Sequence, residues 1–401
     1  MIDIYSNLPL QREDILARIA ADFQLDSTRK QRMESAYKAL CNVINEDDVF
    51  FKGMEIDIYP QGSVLIGTTL KPFRGDEFDL DVVLHIKKGG TQFTPLQIYN
   101  ALFQKLSTDG RYAHMVEKKR RCIRLNYAGD FHMDILPGCQ MIIIDENNIL
   151  VPDRELRSWS QSNPKGYGKW FLDIASRVNN PQLEHFYRQF SEMKAEVQDL
   201  PDDNFYKKKP LQIAIQLIKK YRDIYFQNQP EYATSSIILT TIAALYYQGE
   251  NSVFATVDSV LSKLAESAKP HYSISRLKVL NPVNQQEDFT EKWNKDNKMY
   301  EKFFDFVKDF YSKWQVLQGD FTQSANTYHS LFGESAYNGA IRAQLQKFGK
   351  YSSVPIAQTG SIIIGGNMRT DRQGTINQYK GERNKSHRDF GDFYERKGSA
   401  K

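Results

Sequence analysis

The chain has 401 residues, 41% hydrophobic and 25% charged, with a net charge of +4, which suggests two domains or one two-lobed soluble unit rather than a disordered or membrane-spanning chain. So mild a positive balance suits a phosphate-bearing ligand but does not by itself mark a nucleic-acid-binding protein. Cys41, Cys122 and Cys139 lack metal-ligand spacing, which argues against a zinc cluster and for reduced thiols.

The N-terminal stretch MIDIYSNLPLQRED has neither the basic nor the apolar region of a signal peptide, and no apolar run reaches the roughly 18 residues that a membrane span needs. A cytoplasmic protein is therefore expected. Residues 27–45 place apolar side chains at Met33, Ala36, Tyr37, Leu40, Val43 and Ile44, a helical spacing with Asp26 or Ser27 as N-cap. A strand is predicted at MEIDIYP, then a Gly62-Ser63 turn, a strand at EFDLDVVLHI, the turn KKGG and a helix at PLQIYNALFQKLS. Two alternating runs, RCIRLNYA and FHMDILPG, flank a Gly-Asp turn, and QMIIIDENNILVPD reads as a hairpin.

After about residue 155 the period becomes helical, in KPLQIAIQLIKKYRDIYF, SSIILTTIAALYY, VFATVDSVLSKLAESA and EKFFDFVKDFYSKWQVLQ, and strand signals nearly vanish. The expected fold class is α+β. A core with a mixed or antiparallel sheet and an N-terminal spine helix spans 1–155, a helical lobe 156–347, and a flexible polar tail 348–401.

Asp79 and Asp81 stand two apart on an apolar strand, so both side chains aim at one face. Buried carboxylates side by side are costly unless a cation neutralises them. Asp134 is a third acid on an alternating strand. If the two strands are neighbours, the three carboxylates converge as oxygen donors for Mg²⁺, with open positions left for substrate phosphates. Glu77 shares their face and is an alternative ligand. Gly62 lets backbone approach a phosphate closely, Ser63 adds a hydroxyl, and Thr68 or Thr69 are weaker candidates. Each feature alone has a plainer reading: a turn, a solvated acid pair, or a partner for an arginine in KKRRCIR. Their joint order favours a metal site for nucleotidyl transfer.

GS, then D-x-D, then a third Asp on a strand is the signature of the polymerase-β-like nucleotidyltransferases. The finer wording (GSVLIGTTLKP, FDLDVV, FHMDILPG, WSQSNPKGYGKWF, LQIAIQLIKKYRD, SSIILTT and NPVNQQEDFTEKW) resembles the bacterial cGAS/DncV-like nucleotidyltransferases, the CD-NTases, over roughly residues 26–315. The resemblance implies a polymerase-β-like core with a C-terminal helical bundle lobe similar to the 2-5A synthetases. It also implies a template-independent enzyme that closes nucleoside triphosphates into a cyclic di- or trinucleotide, a second messenger of anti-phage (CBASS) defence.

By the same resemblance, Asp79, Asp81 and Asp134 would hold two Mg²⁺ ions, with Mn²⁺ as a substitute. Gln61, Gly62 and Ser63 would hold the triphosphate, joined from the helical lobe by Lys219, with Lys220 as its rival, and by Ser235 and Ser236. Asn163 and Tyr167 would border the inter-lobe cleft, where base recognition is one reading. An aromatic that some animal relatives stack on the base is replaced by Ile237. Expected substrates are ATP with GTP or a pyrimidine nucleotide. Zinc, membrane binding and DNA activation are not expected, and the tail is a candidate handle for CBASS regulatory proteins. The rivals are a linear oligonucleotide or poly(A)-type polymerase, a small-substrate nucleotidyltransferase, and a binding protein that uses the fold.

Overall fold

The computed structural model describes residues 8–351 apart from 48, 74–76, 91, 141–146, 154, 156, 179–204, 268–275 and 320, together with 369–370, 376–377 and 382–383. Residues 1–346 form one compact unit. Its centre is a sheet of β1 (Glu55–Pro60), β2 (Phe78–Lys88), β3 (Val116–Lys118), β4 (Ile123–Tyr127), β5 (Phe131–Gln140), β6 (Ile149–Asp153) and β7 (Ser158–Ser162). The order is β1-β2-β5-β4-β3, with β6 paired to β5 and β7. β2 and β5 run parallel and the other pairs antiparallel, so the sheet is mixed. β7 lies past the predicted boundary at 155, because its polar, half-buried SWSQS carries no apolar alternation.

Helix α2 (Ser27–Asn45) has the predicted span, with the Asp26 carboxylate accepting from the Arg29 N–H. Helix α4 (Pro95–Thr108) starts on a Thr94–Gln97 capping box with Pro95 in its first turn. Together they cover one face of the sheet. Leu80, Val82 and Leu84 of β2 and Phe131, Met133 and Ile135 of β5 point into this core and are almost wholly buried. The period of two therefore sends the residues between them to the opposite face.

The second core is helical. It joins α1 (Leu8–Asp22), α5 (Pro164–Ala175), α6 (Pro210–Tyr225), α7 (Ser236–Tyr246), α8 (Val253–Ser267), α10 (Asn297–Val316), α11 (Phe321–Phe332) and α12 (Glu334–Tyr351) around Phe171, Leu217, Tyr221, Phe306, Phe310 and Trp314. A short α9 (Glu291–Lys295) and a hairpin of β8 (Leu280–Asn281) and β9 (Asn284–Asp288) complete it. Although α1 begins the chain, its Ile15, Leu16 and Ile19 pack in the helical core, not with the sheet. Of the predicted flexible tail, 348–351 belong to the end of α12, and three two-residue strands pair antiparallel within the separate unit 347–401; its other residues lie outside those described.

Candidate active site

Asp79 and Asp81 occupy the β2 positions between Phe78, Leu80 and Val82, whose side chains anchor the strand in the core. The parallel ladder sets Asp134 of β5 directly beside Asp81 and His132 beside Asp79. The three acids share one sheet face, as their parity requires. Asp81 lies deepest, and burial, reinforced by Asp79 and Asp134, pushes its carboxyl up to about 7. Asp79 opens toward solvent at 58% exposure. Its carboxyl is also raised, by partial desolvation within the cleft, with Arg124 opposing and Asp134 adding to the shift.

Arg124 of β4 faces this trio. Its guanidinium grips Asp134 in a bidentate fork, Nε to Oδ1 and Nη2 to Oδ2 both at 2.7 Å, and the same Nη2 lies 3.5 Å from Asp79. The arginine reading of KKRRCIR and the clustering of acids therefore both hold, and a cationic group already sits between two of the acids. Among the described residues no three side chains are placed to enclose a metal ion. The donor set nevertheless fits a hard divalent cation: three carboxylates from adjacent strands, with raised protonation that a dication would reverse. Occupancy would require Arg124 to release Asp134. Glu77 is otherwise engaged, accepting from Gly129 N–H at 2.6 Å and pairing with His132 at 2.8 Å.

Opposite the acids stands the single helical turn α3 (Gly62–Leu65). Gly62 has φ +60°, and a Cβ there would come within 2.6 Å of Asp81 Oδ2, so only glycine admits both the turn and the carboxylate. Gln61 precedes the turn and its N–H donates to the Asp81 carbonyl at 2.8 Å. Thr69 Oγ1 donates to Ser63 Oγ at 3.2 Å, leaving the Ser63 hydroxyl hydrogen for another acceptor. The buried Thr68 hydroxyl has no hydrogen-bond partner among the described atoms.

From the helical lobe, Lys219 of α6 enters the same cleft, its Nζ donating to the Thr68 carbonyl at 2.9 Å. Burial, with Arg222 next in weight, lowers its ammonium to about 8. Lys220 instead lies over the rings of Phe23 and Phe73. Ser235 is the N-cap of α7 but makes no side-chain cap bond and does not line the cleft; Ser236 does line it. Arg222, one turn beyond Lys219, donates to Ser236 Oγ and to the Thr234 carbonyl, both at 3.0 Å, and pairs with Asp223. Arg222 is the residue that sequence reasoning missed; its i,i+3 spacing from Lys219 was the available signal.

Asn163 is a buried cap accepting from the Gly166 N–H at 2.8 Å and is not among the residues that line the cleft. Tyr167 and Ile237 line the cleft, and the Tyr167 hydroxyl is bound to Thr241. The cleft, open to solvent on one side, has a volume of about 360 Å³ and is walled by the turn, Asp79, Asp81, Lys219, Arg222 and Ser236. Within KKRRCIR, Arg120 and Arg121 both pair with the buried Asp153.

A cleft with acids on one wall and a glycine turn with cations on the other can hold a triphosphate against an attacking hydroxyl. Residues 11–174 match the Second Messenger Oligonucleotide or Dinucleotide Synthetase domain. The chain is 41% identical over 345 residues, 86% of its length and 90% of the relative's, to a c-di-GMP synthase of Roseivirga ehrenbergii. It is 28% identical over 244 residues, 56% of each chain, to the cyclic dinucleotide synthase CdnG of Bradyrhizobium diazoefficiens. The fold is similar to the structure of that CD-NTase in complex with GTP, at a TM-score of 0.67 and 22% identity, covering 84% of this chain and 99% of the other.

Proposed function

The chain belongs to the cGAS/DncV-like nucleotidyltransferase (CD-NTase) family, and from that premise we propose that it condenses two GTP molecules into cyclic di-GMP. The Roseivirga relative's product supports guanine over the ATP-containing product expected from the sequence. The observation that carries the reading is the convergence of Asp134 and Asp81 from adjacent parallel strands, with Asp81 against the Gly62 turn in a cleft that Asp79, Lys219 and Ser236 also line.

In this reading Gly62, Ser63, Lys219 and Ser236 bind the triphosphate, and Arg222 adds a further positive charge. Asp79, Asp81 and Asp134 would hold Mg²⁺, two ions in full occupancy with Mn²⁺ as substitute, supplying charge neutralisation at the α-phosphate and the departing pyrophosphate. The ribose hydroxyl oxygen forms a bond to the α-phosphorus, and the bond to the bridging oxygen of pyrophosphate breaks. The proton passes to a carboxylate, for which Asp134, beside the deeper Asp81, is the candidate once Arg124 has released it. A second round with the roles exchanged closes the ring and releases a second pyrophosphate. Cytoplasmic second-messenger signalling in CBASS defence is the setting this product implies. Among the described residues no helix is long and apolar enough to cross a membrane.

The test is incubation with all four ribonucleotides and Mg²⁺, phosphatase treatment, and mass spectrometry. The expected result is a phosphatase-resistant cyclic di-guanylate. A phosphatase-sensitive ladder would establish the linear polymerase instead, and no product would favour a binding role.

A further inference from the structure

Four consecutive carbonyls follow the phosphate turn, and each accepts a hydrogen bond from a side chain on or just ahead of α6. Gln212 Nε2 donates to Ile66 O at 2.8 Å, and Lys208 Nζ to Gly67 O at 2.6 Å. Lys219 Nζ reaches Thr68 O at 2.9 Å, and Gln216 Nε2 reaches Thr69 O at 2.7 Å. Positions 212, 216 and 219 share one face of α6, and Lys208 lies just ahead of its N-cap. Gln216 is wholly buried and Gln212 is 9% exposed, so neither amide has water to fall back on. Gly67 has φ +68°, and a Cβ there would stand 2.8 Å from Gln212 Nε2; the loop backbone is shaped to meet this helix.

The carbonyl ladder leads back to the ligand-binding turn. Gln216 fixes Thr69, whose hydroxyl donates to Ser63 Oγ. The Thr68 N–H donates to Ser63 O at 2.8 Å and the Ile66 N–H to Gly62 O at 3.3 Å. Behind Gln216, Gln24 closes a reciprocal amide pair, at 3.1 and 3.2 Å. We infer that Gln212 and Gln216 are positioning residues: through the carbonyls of residues 66 and 69 they set where Gly62 and Ser63 present themselves to the triphosphate. Lys219, the one member of the ladder that also lines the cleft, is shared between the Thr68 carbonyl and the incoming phosphate. The helical lobe thus shapes the phosphate turn as well as contributing side chains to it. This rests on the proposed reading of the cleft as a triphosphate site.

The experiment measures binding of a non-hydrolysable GTP analogue with Mg²⁺, alongside thermal melting. Gln216→Met and Gln24→Met both break the amide pair, but only the first frees the Thr69 carbonyl. Gln216→Met is expected to weaken binding about tenfold, equivalent to about 1.4 kcal/mol and in the range of one hydrogen bond. Gln24→Met should stay within about twofold of wild type. Gln212→Met should weaken binding likewise, and Gln212→Lys, which restores a donor of similar reach, should recover most of it. Equal effects of Gln216→Met and Gln24→Met, or unchanged binding in Gln216→Met, would overturn the inference alone. Wild-type protein that does not bind the analogue would overturn the functional reading and the inference with it.

Discussion

Gly62 meets two demands at one atom. Its positive φ disfavours any side chain by roughly 1–2 kcal/mol, and the space for a Cβ is taken by Asp81. Gly62→Ala should therefore displace the carboxylate as well as strain the turn. The expected outcome is a fall in turnover of about a hundredfold, since displacements near 1 Å can cost that much, with only a small drop in melting temperature. Steady-state kinetics with a thermal melt checks it. Lys219 gives a second expectation. Its ammonium, lowered to about 8 by burial, must be charged to attract phosphate, so kcat/KM should fall as pH rises through about 8. In Lys219→Arg, whose guanidinium stays charged, that limb should vanish from the pH–rate profile.

The acids were legible in the sequence because strand parity alone puts Asp79 and Asp81 on one face. Their partner was legible only as a condition, that FHMDILPG lie beside them, which the parallel β2–β5 ladder now meets. The bidentate hold of Arg124 on Asp134 could be suspected but not chosen, because a charged strand carries no signal of which neighbour it will pair with. Likewise Lys219 and Lys220 are equivalent in sequence, and only the packing of Phe23 and Phe73 draws Lys220 away from the cleft.

Among the elements, α1 was hidden because Glu13 and Asp14 interrupt its apolar pattern on a buried stretch. Both acids are structural. Asp14 pairs with Arg18, and Glu13 accepts from the N–H groups of Val253 and Phe254, at 2.5 and 3.1 Å, at the start of α8. Burial raises the Glu13 carboxyl from an ordinary 4.5 to about 7, against the pull of those two N–H groups. The native state thus keeps a proton that the unfolded chain has already lost. The resulting stabilisation is whole below about pH 4.5 and fades as the pH rises toward 7, a difference on the order of 3 kcal/mol. Glu13→Gln should flatten this part of the stability profile. Urea melts of both proteins at pH 5 and pH 7.5 measure it: wild type should lose more between the two than the variant, and parallel losses would contradict the assignment.

Across the whole molecule, the sheet supplies the acids and the glycine turn, and the helical lobe supplies Lys219, Arg222 and Ser236. The sequence marked this division by its change from a period of two to a helical period. It did not reveal that the chain's first helix joins the second core, because that depends on long-range packing. Catalysis in this arrangement rests mainly on charge placed before the substrate arrives. The most direct test is the double variant Asp79→Asn with Asp81→Asn, assayed for cyclic di-guanylate from GTP and Mg²⁺ after a melt has shown it folded. A folded variant is expected to form no product; product formed at the wild-type rate would contradict the assignment of these carboxylates.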